Sequence, residues 1–460
     1  MVIIINSPLF KFRNELYDED SLPPIGLGYI ATNLKNCGYE VELVDAIEQR
    51  LPLDSLIEIL NNRKPEFVAS NIFTTNYELV KELFESLNCK THIIIGGLST
   101  KQLYSKIMEW QTDNPIDIVT GDGELITTAI VANCLEEQPL FMNGNKRVFQ
   151  INSNSKYLVQ DISNIPLNRS FFHNEPVKHP LGFLEANIVA SRGCIYNCTF
   201  CAAARSLNAD YPVRERDEQS IINELNEIRS KYPQVNSIRV LDDLFLKNNL
   251  TVQKATNVFR NFNFQWRSMA HVMTFKNVDD AMMKDLKESG CHELFIGIES
   301  GSPAILSSIN KTRNVDTILI NLTKVLKAGI NMKGYFIYGF PGETAADMEM
   351  TFKLAQRLKE VAIQNNVNFR TSVFQYRPYH GTQIYHDLEE KGYNLAVQQV
   401  QPNQTLSSLV GRLQFNFHSG NYSDVDFDTV HDYIYRTINL NGGQIFAGLN
   451  SENQLQKQHL

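Results

Sequence analysis

From residue 1 to about 135 the chain alternates short apolar runs with helical periods, and this rhythm restricts the fold more than any other feature. "VIIIN" is followed by "GLGYIATNLKNCGY", then "EVELVDA", "LDSLIEILNNR", "EFVASNIF", "YELVKELFESLN", "THIIIGG", "LSTKQLYSKIMEW", "DIVTG" and "ELITTAIVANCL". Five strand candidates, each followed by a helix, indicate βα units and a parallel sheet. The rhythm breaks between 136 and 180, where Asn-Gly turn signals and hairpin-like runs read as a linker packed as a small ribbon. It resumes near 186 with "ANIVASRG", "SIRVLDDLF", "FQWRSMAHV", "ELFIGIES", "MKGYFIYGFPG" and "NFRTSVFQYRPY". Six βα units suit a partial TIM-type (β/α)6 barrel, whose working end is the C-terminal end of its strands. The expected class is α/β: a doubly wound, Rossmann-like parallel sheet over 1–135, a linker over 136–180 and a partial barrel over 181–390. A small, mostly helical region over 391–460 is expected to close over a substrate.

The balance of residues narrows the function. Of 460 residues, 43% are hydrophobic and 20% charged, and the net charge is −8. An acidic balance does not favour a nucleic-acid surface, which shows as a basic excess. "MVIIINSPLF" lacks a basic region and reads as a first strand, not a signal peptide. No window approaches the roughly 18 apolar residues of a membrane span. The expectation is a cytoplasmic protein with no membrane partner, in which clustered cysteines point to metal or catalysis sooner than to disulfides.

Three of the seven cysteines, Cys194, Cys198 and Cys201, stand in "SRGCIYNCTFCAAAR", directly after the first barrel strand. C-x3-C-x2-C on one short loop offers three thiolates, whereas a 4Fe–4S cluster normally takes four. No fourth cysteine follows nearby, so one iron is left for a non-protein ligand. Tetrahedral zinc also wants a fourth ligand, and no C-x2-C…H-x3-H pairing is present. In the first sheet, ligands are expected beyond the strand C-termini. The turns there are "SNIFTT", "GGLST" and "GDGE", which supply Ser70, Phe73, Thr74, Gly96, Gly97, Ser99, Gly121, Gly123 and Glu124. Taken singly, those glycines serve equally well to close tight turns. A dinucleotide site is disfavoured, because no G-x-G-x-x-G follows the first strand.

With an aromatic (Phe200) before its last cysteine, the cysteine motif resembles that of the radical S-adenosylmethionine (SAM) superfamily, and further segments fall in order. "RVLDDLF" places Asp242 and Asp243 where the family binds the methionine amino group. "IGIESGS" places Glu299 and Ser300 at the ribose-contacting position. "YFIYGFPGET", with Tyr338, resembles the adenine-side segment, and Arg267 in "QWRSMAH" is offered to the methionine carboxylate. Read singly, Asp242 and Asp243 cap a turn, Glu299 is a strand-edge residue and Arg267 makes a structural salt bridge. In order at successive strand ends, they outweigh those readings.

The N-terminal sheet ahead of such a barrel resembles the cobalamin-binding class of the superfamily. The nine turn residues are then candidate cobalamin contacts, and Cys194, Cys198 and Cys201 the cluster ligands and catalytic core. No D-x-H-x-x-G is present, and Leu98 stands where these proteins often carry a histidine. The resemblance implies a 4Fe–4S cluster, SAM and cobalamin as cofactors. It also implies a one-electron donor such as flavodoxin or ferredoxin, reductive cleavage of SAM to a 5′-deoxyadenosyl radical, hydrogen abstraction, and methyl transfer to an unactivated carbon of a peptide or natural product. Two alternatives stand beside it. One is non-methylating radical chemistry (epimerisation, cyclisation or cross-linking) with a degenerate N-terminal domain. The other is a cluster-bearing electron carrier, against which the adenosine-side segments argue.

Overall fold

The computed structural model describes residues 1–8, 22–178, 182–395 and 420–442, together with the two-residue strands Gln398–Gln399 and Phe417–His418. The first layer holds β1 (Val2–Asn6), β2 (Val41–Asp45), β3 (Phe67–Asn71), β4 (His92–Gly96) and β5 (Ile116–Thr120), all parallel, in the order β2-β1-β3-β4-β5. Between them run α1 (Ile25–Asn36), α2 (Leu53–Arg63), α3 (Tyr77–Glu85) and α4 (Thr100–Ile107), and α5 (Glu124–Val131) follows β5. The uninterrupted apolar strands have a direct cause. Ile3 and Ile5 pack into one core with Leu56, Leu83 and Leu103, while Val2 and Ile4 pack into another with Leu34 and Ile126. Both faces of the sheet are covered, so β1 is apolar from Val2 to Ile5 and the centres of its neighbours are apolar on both faces. Strand order reverses at β1, which puts the switch point between β1 and β3.

The stretch expected as a ribbon between domains joins this sheet instead. β6 (Phe141–Asn143) and β7 (Lys146–Gln150) form a hairpin, and β7 pairs parallel to β5. The hairpin extends the first layer because β5 would otherwise present an unpaired edge.

The second sheet is curled and open. β9 (Leu184–Ile188), β12 (Ser237–Val240), β13 (Gln265–His271), β14 (Cys291–Glu299), β15 (Asn331–Tyr338) and β16 (Phe369–Gln375) run parallel in that order, and β8 (Val177–Lys178) is antiparallel at one edge. All six expected barrel strands are present. α6 (Glu218–Lys231), α7 (Asn249–Phe259), α8 (Asp280–Glu288), α9 (Pro303–Ser308), α10 (Val315–Lys327) and α11 (Ala345–Gln364) intervene, and α12 (Gln383–Glu390) follows β16. One core of buried side chains, including Ile188, Ile238, Trp266, Leu294, Met332 and Phe369, fills the space between strands and helices. Between β9 and α6 a two-residue antiparallel ribbon, β10 (Ser191–Arg192) with β11 (Arg214–Glu215), pinches off residues 193–213 as a loop.

The helix expected near the C-terminus spans Phe427–Asn439, capped by Asp426. Asn441 closes the outer edge of β16: the Thr371 N–H donates to its Oδ1 at 2.7 Å, and its Nδ2 donates to the Thr371 carbonyl at 3.1 Å. Much of the expected substrate-closing region, including the polar tail, lies outside the described residues.

Candidate active site

The cysteine loop is held firmly at the C-terminal end of the curled sheet. Gly193, with φ of 90°, turns the chain out of β10 in a conformation that favours glycine. Inside the loop the Arg205 N–H donates to the Tyr196 carbonyl at 2.8 Å, and the Cys201 N–H to the Cys198 carbonyl at 3.1 Å. Neighbouring elements pin it from outside. Thr199 donates through N–H and Oγ1 to the carbonyls of Ile309 and Ser308, Asn310 Nδ2 donates to the Asn197 carbonyl at 2.8 Å, and the Ile384 N–H donates to the Thr199 carbonyl at 3.2 Å.

Cys194, Cys198 and Cys201 are half-buried in the mouth of the sheet. Burial raises all three thiol pKa values, that of Cys201 to about 12, so binding a metal cluster there must displace protons. Among the described residues no three His, Cys, Asp or Glu side chains converge as ligands of a single ion. Cys291 begins β14, at the opposite end of the strand from Glu299, and the remaining cysteines lie in the first layer or just after it. The donor set of the loop is therefore three sulfurs, as a cluster with one free iron requires.

Several predicted neighbours are brought to this mouth. Asp243 lies there, close to Cys194 and the Gly193 amide. Glu299 ends β14 with φ of 66°, at a break in the β14–β15 register. A glutamate in the left-handed region is strained, and such strain persists where the surroundings over-determine it. Its carboxylate accepts from Lys311 Nζ at 2.9 Å, and both groups lie near enough to Cys198 to influence its charge. Gly297 makes room for this pair: a Cβ there would stand 2.2 Å from Glu299 Oε1 and 3.2 Å from Lys311 Nζ. Phe200 packs edge-on against Phe340 with ring centroids 5.7 Å apart.

Other predicted residues have their functional groups engaged elsewhere. Arg267 lies toward the base of the sheet, where Glu185 takes its guanidinium in two hydrogen bonds of 2.5 and 2.6 Å and Glu293 stands at 3.4 Å. It does not face the cysteine loop. Asp242 is buried and accepts from the Ala190 N–H at 2.7 Å and Ser191 Oγ at 2.5 Å, so it fastens the start of the loop. Ser300 is buried against Thr351 Oγ1 at 2.9 Å, and the Tyr338 hydroxyl lies 2.7 Å from Thr437 Oγ1 on the C-terminal helix.

Two residues that sequence reasoning missed complete the mouth. Lys311 is one. The other is His271, which ends β13, stacks on Tyr196 at 3.7 Å and 19°, and accepts from the Met273 N–H at 3.2 Å. Burial, helped by the charge of Lys311, lowers the His271 pKa to about 2, so it is neutral. No local pattern marks either residue.

The turns of the first layer meet the second layer where Thr74 contacts His380 and Glu124 contacts Arg192. Phe73 and Leu98 remain 41% and 46% exposed beside residues that bridge the two layers, and Gly96 has open space beside its Cα. Asn71 Oδ1 and Thr120 Oγ1, at the ends of β3 and β5, are buried without a hydrogen-bond partner among the described residues. Apolar side chains flanked by orphaned polar atoms fit a large amphipathic ring with polar arms. The other predicted contacts have structural partners. Ser70 Oγ donates to the Ile5 carbonyl, and Thr74 Oγ1 lies 3.1 Å from His380 Nδ1. Ser99 is buried at the start of α4. A Cβ on Gly97, Gly121 or Gly123 would strike Ile72, Ile151 or Ile30. Glu124 pairs with Arg192 across the layers at 2.5 Å.

Residues 188–355 match the family model of the Radical SAM superfamily, and residues 19–131 match that of the B12 binding domain. The chain is a radical SAM enzyme of the class that carries an N-terminal B12-binding domain, with a 4Fe–4S cluster, SAM and cobalamin as its cofactors. It is similar to an uncharacterized methyltransferase of Pyrococcus horikoshii, 26% identical over 353 residues and covering 73% of each chain. It is also similar to the cytidylyl-2-hydroxyethylphosphonate methyltransferase of Streptomyces wedmorensis, 21% identical over 418 residues and 77% of each chain. Among solved structures it resembles the radical SAM methyltransferase TsrM of Kitasatospora setae, with cobalamin and a 4Fe–4S cluster bound. The TM-score is 0.59 at 16% identity, over 85% of this chain and 74% of that one. It likewise resembles OxsB with aqua-cobalamin bound, with a TM-score of 0.61 at 14% identity, over 93% of this chain and 65% of that one. At such identities the likeness is one of fold.

Proposed function

We propose that this enzyme transfers a methyl group to an unactivated carbon of a small-molecule or peptide substrate held between the two layers. The observation that carries the reading is the loop of three thiols at the C-terminal end of the curled sheet, tied to a matched B12-binding domain through Arg192 and Glu124. Cys194, Cys198 and Cys201 would hold the cluster and leave one corner for the amino-acid end of SAM. When bound, the cluster and SAM supply one-electron cleavage of the sulfonium, and cobalamin supplies a methyl carrier.

The chain's own residues bind, orient and exclude water. Glu299 accepts hydrogen bonds from ribose hydroxyls while Lys311 fixes its orientation, and Asp243 accepts from the amine of SAM. Phe73 and Leu98 seat the corrin face, and Asn71 and Thr120 offer their unpaired oxygens to its amide arms. A one-electron donor such as flavodoxin or ferredoxin would reduce the cluster.

The test is anaerobic reconstitution of wild type and of the Cys194→Ala/Cys198→Ala/Cys201→Ala variant. Wild type should hold iron and cobalamin, form 5′-deoxyadenosine on adding reductant, and give a substrate mass gain of one CH2. The variant should lose the iron and all SAM cleavage; a variant that still cleaves SAM overturns the reading. Cleavage by wild type with no mass gain on any methyl acceptor, and no bound cobalamin, would favour the non-methylating alternative.

A further inference from the structure

The GDGE turn, expected to touch cobalamin, grips the ribbon that closes the cysteine loop. In that ribbon Arg192 and Arg214 are direct register partners. Two like charges opposite each other on antiparallel strands repel and open the pair. What neutralises them comes from the other layer. Arg192 Nη2 donates to Glu124 Oε1 at 2.5 Å, and its Nη1 stands 3.4 Å from Asp122 Oδ1. Arg214 donates through Nη1 and Nη2 to both oxygens of Asp122, the second at 3.0 Å. The Arg192 guanidinium also lies over the Tyr29 ring of α1, 5.4 Å from its centroid.

The second rung of the ribbon, Ser191 opposite Glu215, is held from the barrel side. Ser191 Oγ bonds to Asp242, and Lys247 Nζ donates to Glu215 at 2.5 Å. Each layer therefore fixes one rung. The descending limb of the loop is gripped from the first layer as well. Lys101 Nζ donates to the Leu207 carbonyl at 3.1 Å and pairs with Asp210, Gln150 Nε2 donates to Asp210 at 2.9 Å, and the Ser153 N–H donates to the Asp210 carbonyl at 3.0 Å.

We propose that residues 193–213 take their cluster-holding shape only while the B12-binding domain is docked, and that Asp122 and Glu124 are the positioning residues that enforce this. The proposal rests on the reading of Cys194, Cys198 and Cys201 as cluster ligands. It makes the two domains one working unit: undocking leaves two facing arginines, which spread the neck of the loop and loosen the ligand set. Cluster retention thus reports on domain docking, with no residue shared between the thiols and the clasp.

The experiment is iron release from the reconstituted full-length chain to a ferrous chelator. Asp122→Asn/Glu124→Gln should release iron at least about tenfold faster than wild type, the order expected when buried charges lose their partners. Asp117→Asn serves as a control for general destabilisation. It removes a buried carboxylate paired with Arg147 and His92 inside the first sheet, away from the ribbon, and should release iron at the wild-type rate. The diagnostic variant adds Arg214→Gln to the double variant. Removing one of the two facing charges relieves the repulsion and should restore most of the retention, whereas loss of simple packing would be worsened by it. Should the double variant not fold, Asp122→Asn alone carries the same test, because Asp122 touches both arginines. Wild-type release from the acid-less variant, or no rescue by Arg214→Gln, overturns the proposal. A wild-type chain that takes up no iron removes the cluster reading itself.

Discussion

Replacing Arg267 with methionine separates the role its sequence context suggests from the role its surroundings impose. Glu185 and Glu293 are 1% and 3% exposed, and Arg267 lies between them, bidentate to Glu185. Glu293 keeps a second bidentate partner in Arg370, at 2.7 and 2.7 Å, but among the described residues Glu185 would keep the 3.4 Å contact to Ser237 Oγ. Removing one member of a buried pair costs about 3–5 kcal/mol, because it strands an uncompensated charge. For a domain of this size each kcal/mol lowers Tm by roughly 2–4 °C, so the barrel transition should fall by roughly 6–20 °C. The assay is thermal unfolding of the reconstituted enzyme, paired with the KM for SAM in 5′-deoxyadenosine formation at a temperature where the variant is folded. Stability should fall and KM should hold. Adding Glu185→Gln to the variant should recover part of the loss, since the stranded charge is then gone. Unchanged stability with a raised KM would refute this reasoning and return Arg267 to the SAM site.

Gly297→Ala places a methyl within 2.2 Å of the Glu299 carboxylate and should mimic Glu299→Ala. Both are expected to raise the KM for SAM several-fold while the iron content stays at the wild-type level, as measured by chelator titration. Glu343 should give the barrel a pH dependence of its own. Burial, against the opposing amide hydrogen bonds of Gly339 and Phe340, raises its carboxyl from the ordinary 4.5 to about 8, and its Oε1 has no hydrogen-bond partner among the described residues. The stability associated with the neutral acid is present in full below about 4.5 and drains away as pH rises through 8. Glu343→Gln keeps the acceptor and removes the titration, so urea midpoints compared at pH 6 and pH 8.5 should fall for wild type and fall less for the variant.

The βα rhythm was legible because parallel strands covered on both faces must be apolar along their length, as Val2 to Ile5 are against two separate cores. The cysteine motif was legible for a different reason. Its three donors lie on one short loop, so their spacing is a local property of the chain. The hairpin at 141–150 was legible as a hairpin but not as part of the first sheet, since its partner β5 is chosen by an open edge and not by its own residues. Arg267 illustrates the limit most plainly. Its strand and neighbours were read correctly, but which end of the curled sheet its guanidinium occupies depends on the register with Glu293 and on Glu185, 82 residues earlier.

Composition and periodicity alone determined two covered parallel sheets and a three-thiol loop at the end of a strand, because burial pattern and local spacing are written along the chain. Only the tertiary structure decided which charges meet. Glu124 finds Arg192 across 68 residues, and Lys311 finds Glu299 beneath the loop. An acid and a base attract any opposite charge within reach, so their partners are settled by the docking of sheets and helices and by the free-energy cost of leaving a buried charge alone.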